Sequence, residues 1–363
     1  MKRKFFVTSL LIFCIVKLNS QQFTIAVIPD SQNYVNVSTQ KTNKYPLDSA
    51  QIFYNQMQYI ADNSEKNNGP IVFAVHVGDH VSHWGKYGSE WKRAEKAMSI
   101  IDGIVPFIAV PGNHDYDLVF DYGGGKNNRI NGGELYNKYF GPDSKFFSDK
   151  EWYKGSYSGG MNSYVIYNIK GIDFLFIGLE MEPSDKALKW AQSVINENPG
   201  LPTILTTHEY LSLSYEKSNP GRIAFSNSKY RKGIAESINT GKQIWDKLIK
   251  QNNQIFLILC GHVYKGDLGE AVRTDVNTNG YKVYSLLQDY QGRKSLFTEL
   301  GLEGKGLNCG DGWLRLLCFD LDKKEIHVQT YSTEFNRYET DYDSDFIITF
   351  DWEWEERFKK NMN

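Results

Sequence analysis

The sequence predicts an α/β fold with a buried sheet covered by helices, and three observations carry that expectation. Short apolar runs rich in Val, Ile, Phe and Tyr alternate with amphipathic helical stretches through the first half of the chain. The second half is richer in strands, so the sheet should be mixed or doubled into a sandwich. The chain is 363 residues long, 41% hydrophobic and 23% charged, an ordinary globular composition with no internal repeat, low-complexity tract or Pro-rich linker.

The strand-like runs, in order, are 23–29 (FTIAVIP), 71–77 (IVFAVHV), 105–111 (VPFIAVP), 164–169, 172–179, 202–208 (PTILTTH), 254–260 (QIFLILC), 281–287, 313–320 and 325–331. Helical stretches are expected at 48–66, 89–101, 184–197 and 240–252. In the first of these, Ile52, Gln56, Tyr59 and Ile60 recur at helical spacing behind Asp48 or Ser49 as N-cap. In the third, Leu188, Ala191 and Ile195 share one side. Residues 116–162 are rich in Gly, Asn and Tyr and read as a long loop insertion over the strand ends. The run FIITFDWEW reads as a last edge strand, followed by a charged tail over 353–363.

The formal charge of −2 leaves no basic field for a nucleic acid, and no basic stripe with interleaved aromatics is present. The N-terminus opens with Lys2, Arg3 and Lys4, continues in an apolar run from Phe5 to Val16 and reaches Asn19 and Ser20. That is the layout of a secretory signal peptide over 1–20, too short for a comfortable membrane span; the competing reading is a retained anchor. Its removal would delete four cations and no acid, moving the charge from −2 to −6. The expected location is secreted or periplasmic, without a membrane span in the mature chain. Cys260 sits in a buried run and reads as an inert thiol, whereas Cys309 and Cys318 are available to pair in an oxidising compartment.

The ends of the strands carry the chemistry. Run 23–29 leads into Asp30-Ser31-Gln32, run 71–77 into Gly78-Asp79-His80, and run 105–111 into Gly112-Asn113-His114-Asp115. Run 202–208 ends in His208-Glu209, and run 254–260 in Gly261-His262. A single such ending is commonly a cap or an Asx-turn. Five in one order are not, because in open α/β sheets the loops beyond the carboxyl ends of strands converge on ligands. Carboxylate, amide oxygen and imidazole together suit divalent Mn, Fe, Zn or Ni, and the set is large enough for two ions sharing a bridging carboxylate.

The order D-x-Q, GD, GNHD, H, GH resembles the calcineurin-like metallophosphoesterases, over about residues 22–352. YSLLQDYQ (284–291) and GWLRLLCFD (312–320) resemble a secreted bacterial subgroup. The resemblance implies a metallophosphoesterase-type β-sandwich flanked by helices, and hydrolysis of phosphomonoesters or phosphodiesters by a metal-activated hydroxide. Residue by residue, it implies Asp30 and Gln32 as ligands of a first ion and Asp79 as the bridge. Asn113, His208 and His262 would hold a second ion, and His114 would be the proton donor. Asp115 would fix the loop or orient His114.

The chain departs from the family pattern in two places. Tyr264 stands where the family's Gly-His-x-His motif has its last histidine, and a neutral phenol is a poor ligand. Ser82, followed by His83, stands where many members carry an acid that orients the catalytic histidine. The first ion is therefore expected to bind more weakly than the second, and the alternative reading is an inactive, single-metal binding protein on the same fold. Tyr34, His83 and Arg222 are candidates for contacting a phosphate ester substrate. The sequence carries no sign of oligomeric state.

Overall fold

The computed structural model describes residues 21–36, 48–83, 88–117, 132–213, 222–223, 237–293, 310–350 and 357–358. The expected signal peptide, Cys309, residues 118–131 of the expected insertion and most of the C-terminal tail lie outside the described residues. Sixteen strands run along the described chain: β1 (Gln22–Ile28), β2 (Ile71–His76), β3 (Phe107–Ala109), β4 (Tyr153–Tyr157), β5 (Asn162–Ile169), β6 (Ile172–Leu179), β7 (Thr203–Thr207), β8 (Leu211–Ser212), β9 (Arg222–Ile223), β10 (Ile255–Cys260), β11 (Glu270–Val276), β12 (Lys282–Gln288), β13 (Trp313–Asp320), β14 (Glu325–Ser332), β15 (Arg337–Tyr338) and β16 (Asp345–Thr349).

They form two seven-stranded sheets and a small β8–β9 ribbon. One sheet has the order β15-β14-β13-β1-β2-β3, with β16 also on β14; the other has the order β11-β12-β10-β7-β6-β5-β4. Both are mixed. In the first, β1, β2 and β3 are parallel while β13 and β14 run antiparallel. In the second, β6, β7, β10 and β12 are parallel, with antiparallel β5 and β11 outside them. The expected sheet is therefore a doubled one.

Side-chain alternation along each strand explains why the sheets stack. Phe23, Ile25 and Val27 of β1 face one core, which they share with Phe174, Phe176, Ile204, Leu257 and Leu259 of the other sheet. Across this core the rings of Phe73 and Phe176 stack at 3.9 Å, and Phe23 meets Phe174 edge-on at 5.7 Å. Ala26 and Ile28 face the opposite way, toward helices Ala50–Asp62 and Gly88–Met98. Leu175, Ile177, Leu205 and Ile258 likewise meet helices Asp185–Glu197 and Gly241–Lys247. The result is four layers, with helices outside and two sheets inside.

The helices end where side chains take over backbone bonding. Ser184 caps Asp185–Glu197 by accepting from Ala187 N at 3.1 Å, and Leu188, Ala191 and Ile195 are buried as their spacing predicts. The stretch expected at 48–66 stops at Asp62, because the Asn63 amide donates to the Tyr59 carbonyl at 2.9 Å; a 3₁₀ turn follows at Glu65–Asn67. The stretch expected at 240–252 stops at Lys247 for a similar reason, as Asn252 Nδ2 donates to Leu248 O at 2.7 Å. The described part of 132–162 is not a plain loop: it holds helix Glu134–Phe140 and strand β4, and it buries Tyr136, Phe140, Phe146 and Phe147 with Ala26 and Ile28 on the helix-covered side of the first sheet. In the tail, Arg357 is buried and donates to the carbonyls of Asn253, Lys282 and Ile255.

One buried charged network ties the sheets together near the strand ends. Glu270, at the start of β11, lies between Arg293 and Arg315, whose guanidinium groups both donate to its carboxylate. Tyr290, Thr330 and Ser344 donate to the same group at 2.9, 2.8 and 2.8 Å. Burial opposes charge on Glu270, yet the two arginines hold its carboxyl below the usual range. Removing the acid would leave the fully buried Arg315 without its carboxylate and Arg293 with Glu339 alone. Glu270→Ala is therefore expected to cost about 3–5 kcal/mol of unfolding free energy in urea; a loss under about 1 kcal/mol would show that the network carries no such weight.

Candidate metal centre

The two sheets bring their parallel strands to one crevice. Asp30, Asp79 and Asn113 follow β1, β2 and β3 of one sheet; His208 and His262 follow β7 and β10 of the other. Cross-sheet contacts show the convergence directly. His208 Nδ1 donates to Val77 O at 2.8 Å, and its Nε2 faces Asp79 Oδ2 at 3.3 Å and Asp30 Oδ2 at 3.9 Å. His262 N approaches both oxygens of Asp30, at 3.3 and 3.2 Å. Asp79, His208 and His262 each offer a ligand atom within 4.8 Å of the others. Asn113 is buried at the first position of the 3₁₀ turn Asn113–Asp115, next to His114, whose N–H donates to Asp79 Oδ1 at 2.8 Å.

The glycines in these motifs have a steric reason. A Cβ on Gly112 would lie 2.1 Å from Asp79 Oδ1, and one on Gly261 would lie 2.1 Å from Asp30 Oδ1. Only glycine lets a neighbouring loop backbone come this close to each carboxylate. Two of the polar residues themselves sit at left-handed backbone angles, Asp79 at φ 54 and His262 at φ 74. Such conformations cost about 1–3 kcal/mol each and cluster at functional sites.

The loop of His114 is held from below. Asp115 is fully buried and accepts from Gly112 N at 2.9 Å, His80 N at 2.8 Å and Val81 N at 3.2 Å, and it pairs with His80 Nδ1 at 2.9 Å. Asp115 thus fixes the loop. His114 is oriented instead by the main chain of Ser82, whose carbonyl lies 2.6 Å from His114 Nδ1. The family's side-chain acid is absent at Ser82, and a backbone oxygen does the orienting. An acid is nonetheless nearby: Glu90 accepts from Ser82 N at 3.1 Å and His83 N at 3.0 Å and contacts His83 Nδ1 at 2.7 Å. His83 is thereby a loop anchor, and Tyr34, 2% exposed, belongs to the core. The side chain of Arg222 lies outside the described residues.

Tyr264, at the family's last histidine position, is not buried as the carboxylates are. It is 38% exposed, and its ring packs so close to Gly292 that a Cβ there would lie 2.3 Å from Tyr264 Cδ2. Sequence reasoning also missed two residues. Beyond β12, Asp289 is 1% exposed and Gln291 7% exposed, and Gln291 Nε2 donates to Asp289 Oδ2 at 2.9 Å and Asp30 Oδ2 at 3.3 Å. The signal was available, since β12 also ends in Gln-Asp-Tyr-Gln.

Electrostatically the crevice is dominated by carboxylates. Asp30 is pushed well above its usual range, first by burial and then by the charge of Asp289; Asp289 is itself pushed up to about 7 by burial. Asp79 is held low, because His208, His114 and His262 together outweigh its burial. Burial opposes the proton on His208, but Asp79 and Asp30 raise it to about 10. Among the buried side-chain atoms without a hydrogen-bond partner are His208 Nε2 and Gln32 Oε1. Clustered carboxylates, an imidazole nitrogen and an unsatisfied amide oxygen are the donors that a divalent cation takes, so the residues fit a metal centre.

A family model described as calcineurin-like phosphoesterase matches residues 23–266, which include all five strand endings. The chain belongs to this family. The matched segment holds the ordered motifs and the strands from β1 to β10; Asp289 and Gln291 lie beyond it. The chain is 29% identical over 320 residues to the uncharacterized protein YvnB of Bacillus subtilis (strain 168), a match covering 86% of this chain and 21% of that protein. It therefore spans about a fifth of that relative's length. Its fold is similar to a purple acid phosphatase isolated from yellow lupin (Lupinus luteus) seeds, with a TM-score of 0.52, 15% identity and coverage of 92% of this chain and 55% of that one.

Because a metal ligand must shed its proton, metal binding should release protons. His208 is raised to about 10, so in the metal-free protein it is charged at pH 8 and would lose a proton on loading. Adding Zn or Mn to weakly buffered protein at pH 8 should release protons, that of His208 among them, and apparent affinity should fall as pH drops. Unchanged pH on binding would contradict the protonated state of His208.

Proposed function

We propose that this protein is a metal-dependent phosphoesterase that hydrolyses phosphomonoesters or phosphodiesters. The observation that carries the reading is the meeting, in one crevice, of Asp30, Asp79, His208 and His262 from two sheets with the oriented His114 beside them. Divalent ions bound there, one or two in number, would supply Lewis acidity to the phosphoryl oxygens and lower the pKa of water.

The protein's own residues set the geometry around that chemistry. Asp79 lies between the two halves of the site, touching Gln32 Nε2 at 3.1 Å, His208 Nε2 at 3.3 Å and His114 N at 2.8 Å. This central place suits a shared ligand. Asn113, His208 and His262 complete the second ion's set in this reading. His114 gives Nδ1–H to Ser82 O, so Nε2 is the nitrogen turned to the reaction; with the ring protonated on both nitrogens, Nε2–H would pass its proton to the departing oxygen and leave a neutral imidazole. The backbone bond from His114 to Asp79 ties the proton donor's loop to a residue of the ligand set.

The N-terminal pattern of Lys2–Lys4, the apolar run and Ser20 supports export to a secreted or periplasmic location. Among the described residues no helix is long and apolar enough to cross a membrane.

The test is hydrolysis of an aryl phosphomonoester and an aryl phosphodiester by the protein from residue 21 onward, stripped of metal and then reloaded with Mn, Fe, Zn, Ni or Ca. Turnover should depend on added metal, and His114→Ala should lower kcat by roughly 10²–10⁴ at unchanged metal content. A folded protein that binds an ion and hydrolyses neither ester with any metal would replace this reading with that of a binding protein.

A further inference from the structure

The two halves of the centre differ in donor chemistry. His208 and His262 give the second half imidazole nitrogens. The first half has none of its own: Gln32 stands where many relatives have one histidine, and Tyr264 where they have another. The structure brings something else to that side. Asp289 and Gln291 occupy alternate positions after β12, so both face the crevice, while Tyr290 between them turns into the network of Glu270 and Arg315. Gln291 Nε2 bridges Asp289 Oδ2 at 2.9 Å and Asp30 Oδ2 at 3.3 Å, and Gln291 Oε1 accepts from Gln32 Nε2 at 2.7 Å. Gln32 Nε2 also reaches Asp79 Oδ2 at 3.1 Å. Three carboxylates and two amides therefore form one cluster, each of the five side chains at most 7% exposed. Within it Gln32 Oε1 is left without a hydrogen-bond partner.

Resting on the two-ion form of the phosphoesterase reading, we propose that Asp289 and Gln291 complete the first-ion site in place of the missing histidines, making it an all-oxygen site selective for a hard cation such as Mn²⁺, Mg²⁺ or Ca²⁺, beside an imidazole site that takes a borderline ion such as Zn²⁺. Asp289 contributes the charge, and Gln291 locks Asp30 and Gln32 in register. Oxygen-only sets favour Mg, Ca and Mn, whereas imidazole suits Zn, Fe and Ni. The chain also anchors this loop heavily. Tyr290 OH donates to Glu270 Oε1 at 2.9 Å, Arg293 pairs with Glu270 and Glu339, and Asp289 N bonds Gly269 O at 2.7 Å. A loop held by buried ion pairs is preorganised for a ligand. Tyr264 packs on its Gly292 and has no ligand role here.

The measurement is bound metal per chain after loading with Zn²⁺ and Mn²⁺ together, by elemental analysis, with Mn²⁺ affinity from calorimetric titration. The native protein should hold about one of each. Asp289→Asn and Gln291→Leu, both close in size to the native residues, should keep Zn²⁺ and bind Mn²⁺ roughly 10–100-fold more weakly. Tyr264→Phe should match the native protein. If one substitution prevents folding, the other carries the test. Variants that retain both ions at native affinity would overturn the assignment while leaving the phosphoesterase reading intact, as would two Zn²⁺ per native chain with no preference for Mn²⁺. A native protein that takes up no ion and hydrolyses neither aryl ester would overturn both.

Discussion

Three carboxylates that repel one another, Asp30, Asp79 and Asp289, are all at most 2% exposed at the common end of two sheets. Much of the surrounding architecture answers that constraint. Like charges in a poorly hydrated site cost several kcal/mol unless donors or cations face them. The chain supplies donors from every side: His114 N to Asp79, His262 N to Asp30, Gln32 and Gln291 amides between them, and the charged His208 ring. Even so, Asp30 and Asp289 stay raised, first through burial. A divalent cation would remove the remaining imbalance, so ion binding and stability are coupled in this fold.

Holding such groups in place requires supports that do not themselves touch the reacting centre. Asp115 gathers the backbones of Gly112, His80 and Val81 beneath the His114 loop, and Glu90 gathers those of Ser82 and His83. Glu270 with Arg293 and Arg315 secures the loop after β12. All three acids are buried and each accepts several bonds, so each loop has one fixed conformation. Their placement divides the labour: charged groups near the ions set chemistry, and charged groups one layer away set geometry.

Much of this was legible in the sequence because strand endings are local features. Apolar runs located most of the strands, and Asp, Asn and His directly after them located five convergent loops without any knowledge of sheet order. Gly112 and Gly261 were visible as motif residues, although their steric purpose needed the contacts to Asp79 and Asp30. What was not legible depends on pairings distant in sequence. Gln291 meets Asp30 across 261 residues, and nothing local distinguishes its amide from a solvated one. Ser82 looked like a missing catalytic acid because side-chain identity conceals that a backbone carbonyl can serve. The helix and strand within 132–162 were read as loop because Gly and Asn at its start dominated the composition.

The left-handed backbone at Asp79 and His262 brings these strands together. Asp and His tolerate this region better than most non-glycine residues do, but it is not the preferred conformation of either. Each is held by its surroundings. Asp79 is fixed through His114 N and Gln32, and His262 through the bond from its own N–H to Asp30. The strained residues are thus secured by the same carboxylates and amides that would hold the ions, and they cannot relax without dismantling the site. Glycine at position 79 would ease the backbone but would remove the carboxylate that accepts from His114 N and Gln32 Nε2. Aspartate at φ 54, facing His208 at 3.3 Å, thus sets a carboxylate where a cation held by the crevice would meet it.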